Sequence, residues 1–313
     1  MFHSFFNTYC NKKDSDEKLK RHIGETQIPK FSVLVQDILD NAYRDNLIIE
    51  DLKQNENIIT EFPKKIAELV YSISIIDNSI DKKEDCVDEL ILISDICIFM
   101  EKFLNTIKYL DNLELNIEIS KLLQDVNNLF NLLGKELALK RDFNKFYVNY
   151  DMPNYLKLTN SDFLLYIDLT LQLIRMDKRE YIASFFKYYS LMDMLIDSIV
   201  DFEDDYESKS YNPLQNIVKS DVYDIDTITN IAMSYGKDAM KIANEQNGHL
   251  AMYLTYLARA EIEALSIFKK YTYELSRDKN LRKQILKPYP WEESETNLNI
   301  NLSIWKFTES PIK

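Results

Sequence analysis

Residues Ser190 to Leu214 read SLMDMLIDSIVDFEDDYESKSYNPL, and the first half of that stretch decides what kind of protein this is. Asp193, Asp197 and Asp201 recur at every fourth position. On a helix of about 3.6 residues per turn this spacing drifts by only roughly 40° a step, so the three carboxylates line one face. Leu191, Leu195, Ile196, Ile199 and Val200 lie between them, which makes the segment a largely buried helix and not a solvated acidic run. Like charges four residues apart destabilise a helix, and a buried unpaired carboxylate costs more still, so the stripe needs a positive partner. A hard divalent cation suits it, because Mg²⁺ takes oxygen ligands and accepts one or two carboxylates together with waters and substrate phosphates. The plain alternative is an acidic helix face in an acidic protein, and Asp204, Asp205 and Glu207 show how much acid the chain carries.

The composition points to an all-helical fold. Hydrophobic residues at 46% suffice for a sizeable core, whereas 4 glycines and 7 prolines in 313 residues are too few for many strands joined by tight turns. A net charge of -13 argues against a nucleic-acid partner, since no basic surface would hold a phosphate backbone. An acidic protein that handles a phosphate ester needs metal ions between the two. Cys10, Cys86 and Cys97 are odd in number and lack metal-ligand spacing, as expected of reduced cysteines in a cytoplasmic chain. The N-terminal apolar run is too short for a signal peptide, and no stretch is long and apolar enough to predict a transmembrane segment.

Residues 1–30 read as a lead-in with Phe2, Phe5, Phe6 and Tyr9, residues 31–286 as the helical domain, and residues 287–313 as an irregular tail or lid. Helical spacing begins at Phe31 with Val33, Leu34, Ile38 and Ala42, and Asp37 and Asp40 read as its surface edge. Pro63 fits the first turn of the next helix, which continues through Ile66, Leu69, Val70, Ile73, Ile76 and Ile80. That helix ends in IIDNSIDKK, where Asp77 and Asp81 repeat the four-residue spacing of the later stripe. Two acidic stripes facing across a bundle can hold divalent ions between them. Leu90, Ile93, Cys97, Met100, Leu104 and Ile107, then Ile119, Leu122, Val126, Phe130 and Leu133, mark the core stripes of two further helices. Residues 141–160 break the pattern around Pro153. Ser161 caps FLLYIDLTLQLIRMDK, and the acid helix follows from near Lys178 with Phe185, Phe186, Tyr188 and Tyr189 ahead of Asp193. Helices from Ile225 to Asn244 and from Gly248 to Ser276 complete the chain.

Taken together, IIDNSIDKK and LIDSIVDFEDD resemble the two aspartate-rich motifs of the class I isoprenoid synthases: prenyl diphosphate synthases, terpene cyclases and squalene or phytoene synthases. Two registers fit each motif. In the first, Asp77 and Asp81 form the metal pair, or IIDNS is the motif's end and Ile73 and Ser74 stand where two aspartates belong. In the second, Asp197 and Asp201 fit prenyltransferase spacing, Asp193, Asp197 and Asp201 fit the cyclase triad, and Asp201 with Asp205 echoes the squalene and phytoene branch.

The resemblance implies a single helical bundle around a central cavity, with two or three Mg²⁺ ions held by Asp77, Asp81, Asp193, Asp197, Asp201 and Asp205. It implies a prenyl diphosphate substrate, ionised at its C–O bond and then cyclised or condensed, with Asp77, Asp81, Asp197 and Asp201 as catalytic acids. Phe185, Phe186 and Tyr189 would wall the carbocation, and Arg175, Arg179 and Arg259, with Arg277 and Arg282 behind them, would contact diphosphate. A homodimer is compatible with it. The alternative is a non-catalytic relative that keeps the fold as a helical subunit or binding protein, since Asn78 and Ser198 stand where each motif has its second aspartate.

Overall fold

The computed structural model describes residues 28–52, 57–81, 89–141, 160–202, 212, 225–275 and 278–286. Among them the regular elements are all helical: α1 (Ile28–Arg44), a 3-10 turn (Glu50–Leu52), α2 (Asn57–Asp81), α3 (Glu89–Asp111), α4 (Ile119–Arg141), α5 (Ser161–Leu171), α6 (Met176–Val200), α7 (Ile225–Ala243), α8 (His249–Lys270), α9 (Thr272–Leu275) and α10 (Lys279–Leu286). One contiguous cluster of buried side chains draws from α1 through α10. No helix among the described residues is long and apolar enough to cross a membrane.

The helices close on themselves. α1 packs on α2, α5 and α8; α4 packs on α5, α5 on α6, α6 on α7, and α7 on α8. The centre of the last three is set by Gly236 of α7, where a Cβ would run into Met192 Sδ and lie 2.7 Å from Ile262 Cγ1. Glycine there lets α6 and α8 close on α7 from both sides.

The segment after α1 stitches distant parts of the chain. Ile48 pairs with Ile174 in an isolated antiparallel bridge, through Ile49 N–H to Leu173 O (3.1 Å) and Arg175 N–H to Leu47 O (2.8 Å). One turn earlier, the Asp45 carboxylate accepts from the His249 amide (2.9 Å) and the Leu250 amide (2.8 Å) at the start of α8. It does the work of an N-cap from 204 residues away in sequence. Gly248 supplies the entry: its φ of 119° is open to glycine, and a Cβ there would strike the Asp45 carboxylate.

Three local features differ from the sequence expectation. Pro63 lies inside α2, which starts at Asn57, so the proline follows a turn and a half of helix and leaves the Ile59 carbonyl without its usual partner. The stretch FLLYIDLTLQLIRMDK is not one helix: α5 ends at Leu171, and the amides of Gln172, Leu173 and Ile174 tighten onto carbonyls three residues back before α6 begins at Met176.

The third difference concerns α3, which is apolar almost all round and so offers two stripes. The buried one is Leu92, Phe99, Phe103 and Leu110, with Asp95 and Thr106 among them. Of the expected stripe, Met100 and Ile107 pack half-buried against the core, while Leu90 (80%), Ile93 (56%), Leu104 (58%) and Cys97 are exposed. The two phenylalanines decide which face turns in, because aromatic rings bury the most area: Phe99 stacks on Phe103 at 6.3 Å and meets Phe130 of α4 edge-on at 5.8 Å. Asp95 goes with them because Ser79 Oγ donates to its Oδ2 at 2.7 Å.

Candidate functional site

The first acid motif closes α2. Ser79 points at α3 through its bond to Asp95, and at about 100° per residue Asp77 is turned roughly 160° away from it. Asp77 accordingly faces the other neighbour: it is half-buried and close enough to Tyr166 of α5 to act on its ionisation. Desolvation pushes the Tyr166 phenol well up, and the negative charges of Asp162 and Asp77 push it further. Asp81 is the last residue of α2, and its side chain lies outside the described residues, as does all of Asp205.

From Tyr166 an aromatic chain runs to the second motif. Phe31 of α1 sits edge-on to Tyr166 at 5.1 Å and to Phe163 at 5.7 Å. Phe163 in turn meets Phe186 at 5.8 Å and Tyr189 at 6.4 Å on α6. Phe185 and Tyr189 stack at 5.6 Å with 15° between their planes. Phe185 and Phe186 are fully buried and Tyr189 nearly so, packed on each other and on α5. The Tyr189 hydroxyl donates to Glu261 of α8 at 2.5 Å. Glu261 is a buried acid whose one signal in the sequence is its place on the apolar face of ARAEIEAL.

One and two turns beyond Tyr189 come Asp193 and Asp197, then Asp201 at the C-cap of the helix, all half-buried. Their helix is finished from outside. Arg282 of α10, 2% exposed, donates to Val200 O at 3.2 Å and to Leu275 O at 3.3 Å. Buried Asn212 donates to Ser198 O at 2.7 Å. A guanidinium at a helix C-terminus opposes the negative end of the helix dipole as well as satisfying carbonyls. Among the described residues no three or more His, Cys, Asp or Glu side chains gather closely enough to hold a metal ion by themselves. Hard carboxylate oxygens on α2 and α6 do match a cation that takes one or two carboxylates and completes its shell with water and phosphate.

The proposed arginines are placed elsewhere. Arg179 stands 18 residues before Asp197, about 27 Å down the same helix. Its guanidinium donates to Ile174 O (2.9 Å), Gln172 O (3.2 Å) and Glu118 Oε1 (2.7 Å), satisfying the carbonyls bared by the break between α5 and α6. Arg175 is exposed and pairs with Asp177 (3.1 Å), and exposed Arg259 pairs with Glu263 (2.7 Å). Arg277 lies outside the described residues. The structure therefore places Arg175 and Arg179 at the N-terminal end of α6, Phe185, Phe186 and Tyr189 at its middle, and the acids toward its C-terminal end.

The N-terminal end carries a cleft of about 360 Å³, bordered by Lys121, Gln172, Arg179, Glu180, Ser184 and Lys187. Beside it Lys121 Nζ donates to Asp168 Oδ1 at 2.6 Å. Burial and the adjacent Asp168 carboxylate push Asp125 up to about 7, against a smaller pull downward from Lys121.

Compared with known proteins, the chain matches no protein-family model, no curated protein and no solved structure at a significant level.

Proposed function

We propose that this chain is a Mg²⁺-dependent enzyme of the class I isoprenoid synthase type, one that ionises an allylic prenyl diphosphate and then cyclises or condenses the resulting cation. The observation that carries the proposal is the convergence on α5. Asp77 of α2 lies near enough to Tyr166 for its charge to push the phenol up, while Phe163, one turn earlier, packs 6.4 Å from Tyr189, which lies one turn ahead of Asp193 on α6. Both acid-bearing helices thus address the same aromatic layer, although they make no broad contact with each other.

In this reading Asp77, with Asp193, Asp197 and Asp201, would hold the metal and through it the diphosphate. Bound Mg²⁺ supplies charge neutralisation on the leaving diphosphate, which departs with the electron pair of the C–O bond. The packed rings of Phe163, Phe186 and Tyr189 keep the layer beneath the acids dry, as a cation that water would quench requires. Diphosphate contacts from Arg175 and Arg179 have no place in it, since both are held at the far end of α6.

A second reading is a helical subunit or binding protein of the same fold without the reaction. It is favoured by Asn78 and Ser198 beside the acids, and by buried Arg282, which is engaged in capping α6. The two are separated by incubating the protein with Mg²⁺ and ten-, fifteen- and twenty-carbon prenyl diphosphates, following released diphosphate and products by mass spectrometry. Turnover is expected, with loss of about 100-fold or more for Asp77→Ala and Asp197→Ala. Absence of release with every substrate, in protein shown to be folded by circular dichroism, favours the binding protein.

A further inference from the structure

We propose that the cleft at the N-terminal end of α6 binds a small zwitterion, a single amino acid or a peptide of two or three residues, with its ammonium toward Glu180 and its carboxylate toward Lys187. The inference does not depend on the proposed reaction, which uses the other end of the helix. The cleft holds about 360 Å³, within the lower part of the range in which proteins take small ligands. It lies on the side of α6 away from the core. At about 100° per residue Glu180, Ala183, Ser184 and Lys187 share one face, and buried Ile182, Phe185 and Tyr189 lie opposite. Leu171 and Ala183 supply the apolar part of the lining.

Most polar groups around the cleft are committed to one another. Buried Gln172 accepts from the Glu118 amide at 3.0 Å and donates to Asp168 O at 3.0 Å. Arg179 gives its donors to Glu118 and to two carbonyls, and Lys121 donates to buried Asp168. These bonds tie the start of α4 and the end of α5 to α6, so the wall of the cleft is formed before any ligand arrives. Three lining side chains stand outside that frame. Among the described residues Glu180 and Lys187 form no ion pair, and Ser184 Oγ makes no hydrogen bond. They occupy positions i, i+4 and i+7 of α6, so a carboxylate, a hydroxyl and an ammonium follow one another along one face. A bare anion would be attracted by Lys187 and repelled by Glu180, and a bare cation the reverse. A molecule carrying both charges satisfies both. Seven residues of helix separate Glu180 from Lys187 by about 10 Å along the axis. Two or three extended peptide residues, at about 3.5 Å each, cover a similar span.

The test is titration calorimetry on the full chain with alanine, dialanine and trialanine, each to about 10 mM. At least one of the three is expected to bind with a Kd below about 1 mM. Acetylating its amine or amidating its carboxylate removes one charge, and each is expected to weaken binding about tenfold or more. Glu180→Gln should weaken the unmodified ligand about tenfold and leave the acetylated one as it was, while Lys187→Met should do the same for unmodified against amidated ligand. Both side chains are exposed, so neither change disturbs the core. Absence of binding by all three ligands overturns the proposal. So does undiminished binding of the acetylated or the amidated form, which would mark a site for a single charge. An affinity indifferent to both substitutions overturns it as well, because the ligand would then lie elsewhere.

Discussion

The two ends of α6 carry opposite charge and treat it in opposite ways. At the N-terminal end Arg179 gives its donors to carbonyls and a carboxylate of its own chain, and Arg175 pairs with Asp177 next to it. At the C-terminal end Asp193, Asp197 and Asp201 lie along one side, while the carbonyls beneath them are satisfied by Arg282 and Asn212 brought in from elsewhere. Basic side chains at the first end finish a turn. At the second, the backbone is finished by side chains brought in from elsewhere, Arg282 and Asn212. A helix end whose carbonyls have no partner within the helix takes its donors from whatever the fold brings near.

Four changes break or sharpen this contrast. Arg282→Met removes a buried guanidinium from two carbonyls, and a loss of about 3 kcal/mol is expected from the urea midpoint. A loss below about 1 kcal/mol would mean that the acid end of α6 does not depend on its cap. At the basic end, Arg179→Met is expected to cost about 2 kcal/mol and to leave Mg²⁺ binding by calorimetry unchanged. Arg175→Ala, on an exposed pair, should shift stability by no more than about 0.5 kcal/mol. Weaker Mg²⁺ binding in either variant would return the arginines to the site.

The fourth change concerns pH. The folded value of Asp125 lies near 7, above its ordinary 3.8, so the folded state holds the proton more tightly than the unfolded chain. That stabilisation is complete below about pH 4 and is lost as pH rises through about 7. Asp125 is partly open to solvent, so the effect is expected to be about 1 kcal/mol after screening. Asp125→Asn should remove most of this slope between pH 5 and 8, and an unchanged slope would place its origin elsewhere.

Much of the fold was legible because helical periodicity and scarce glycine and proline act locally. The helix carrying Asp193 and Asp197, and the one ending at Asp77 and Asp81, follow from spacing alone. α3 shows where that approach stops. Both of its stripes keep helical spacing, and only the volume offered by α2 and α4 to Phe99 and Phe103 decides which one turns inward. Pro63 was misplaced for a related reason, since packing of Ile58 and Phe62 holds the turn ahead of it in the helix despite the missing amide. In the candidate site nothing local marks Glu261, because its partner Tyr189 lies far away in the chain.

By itself the sequence determined that this chain is helical, that it is strongly acidic, and that two of its helices carry aspartates four residues apart. Such properties depend on neighbours within a turn or two, and the chain carries them wherever it goes. Which arginines are spent on capping, which face of α3 carries Phe99 and Phe103 inward, and that Glu261 meets Tyr189 were decided only by the tertiary structure. Each depends on groups tens to hundreds of residues apart competing for the same space and the same hydrogen bonds, and that competition has no local record.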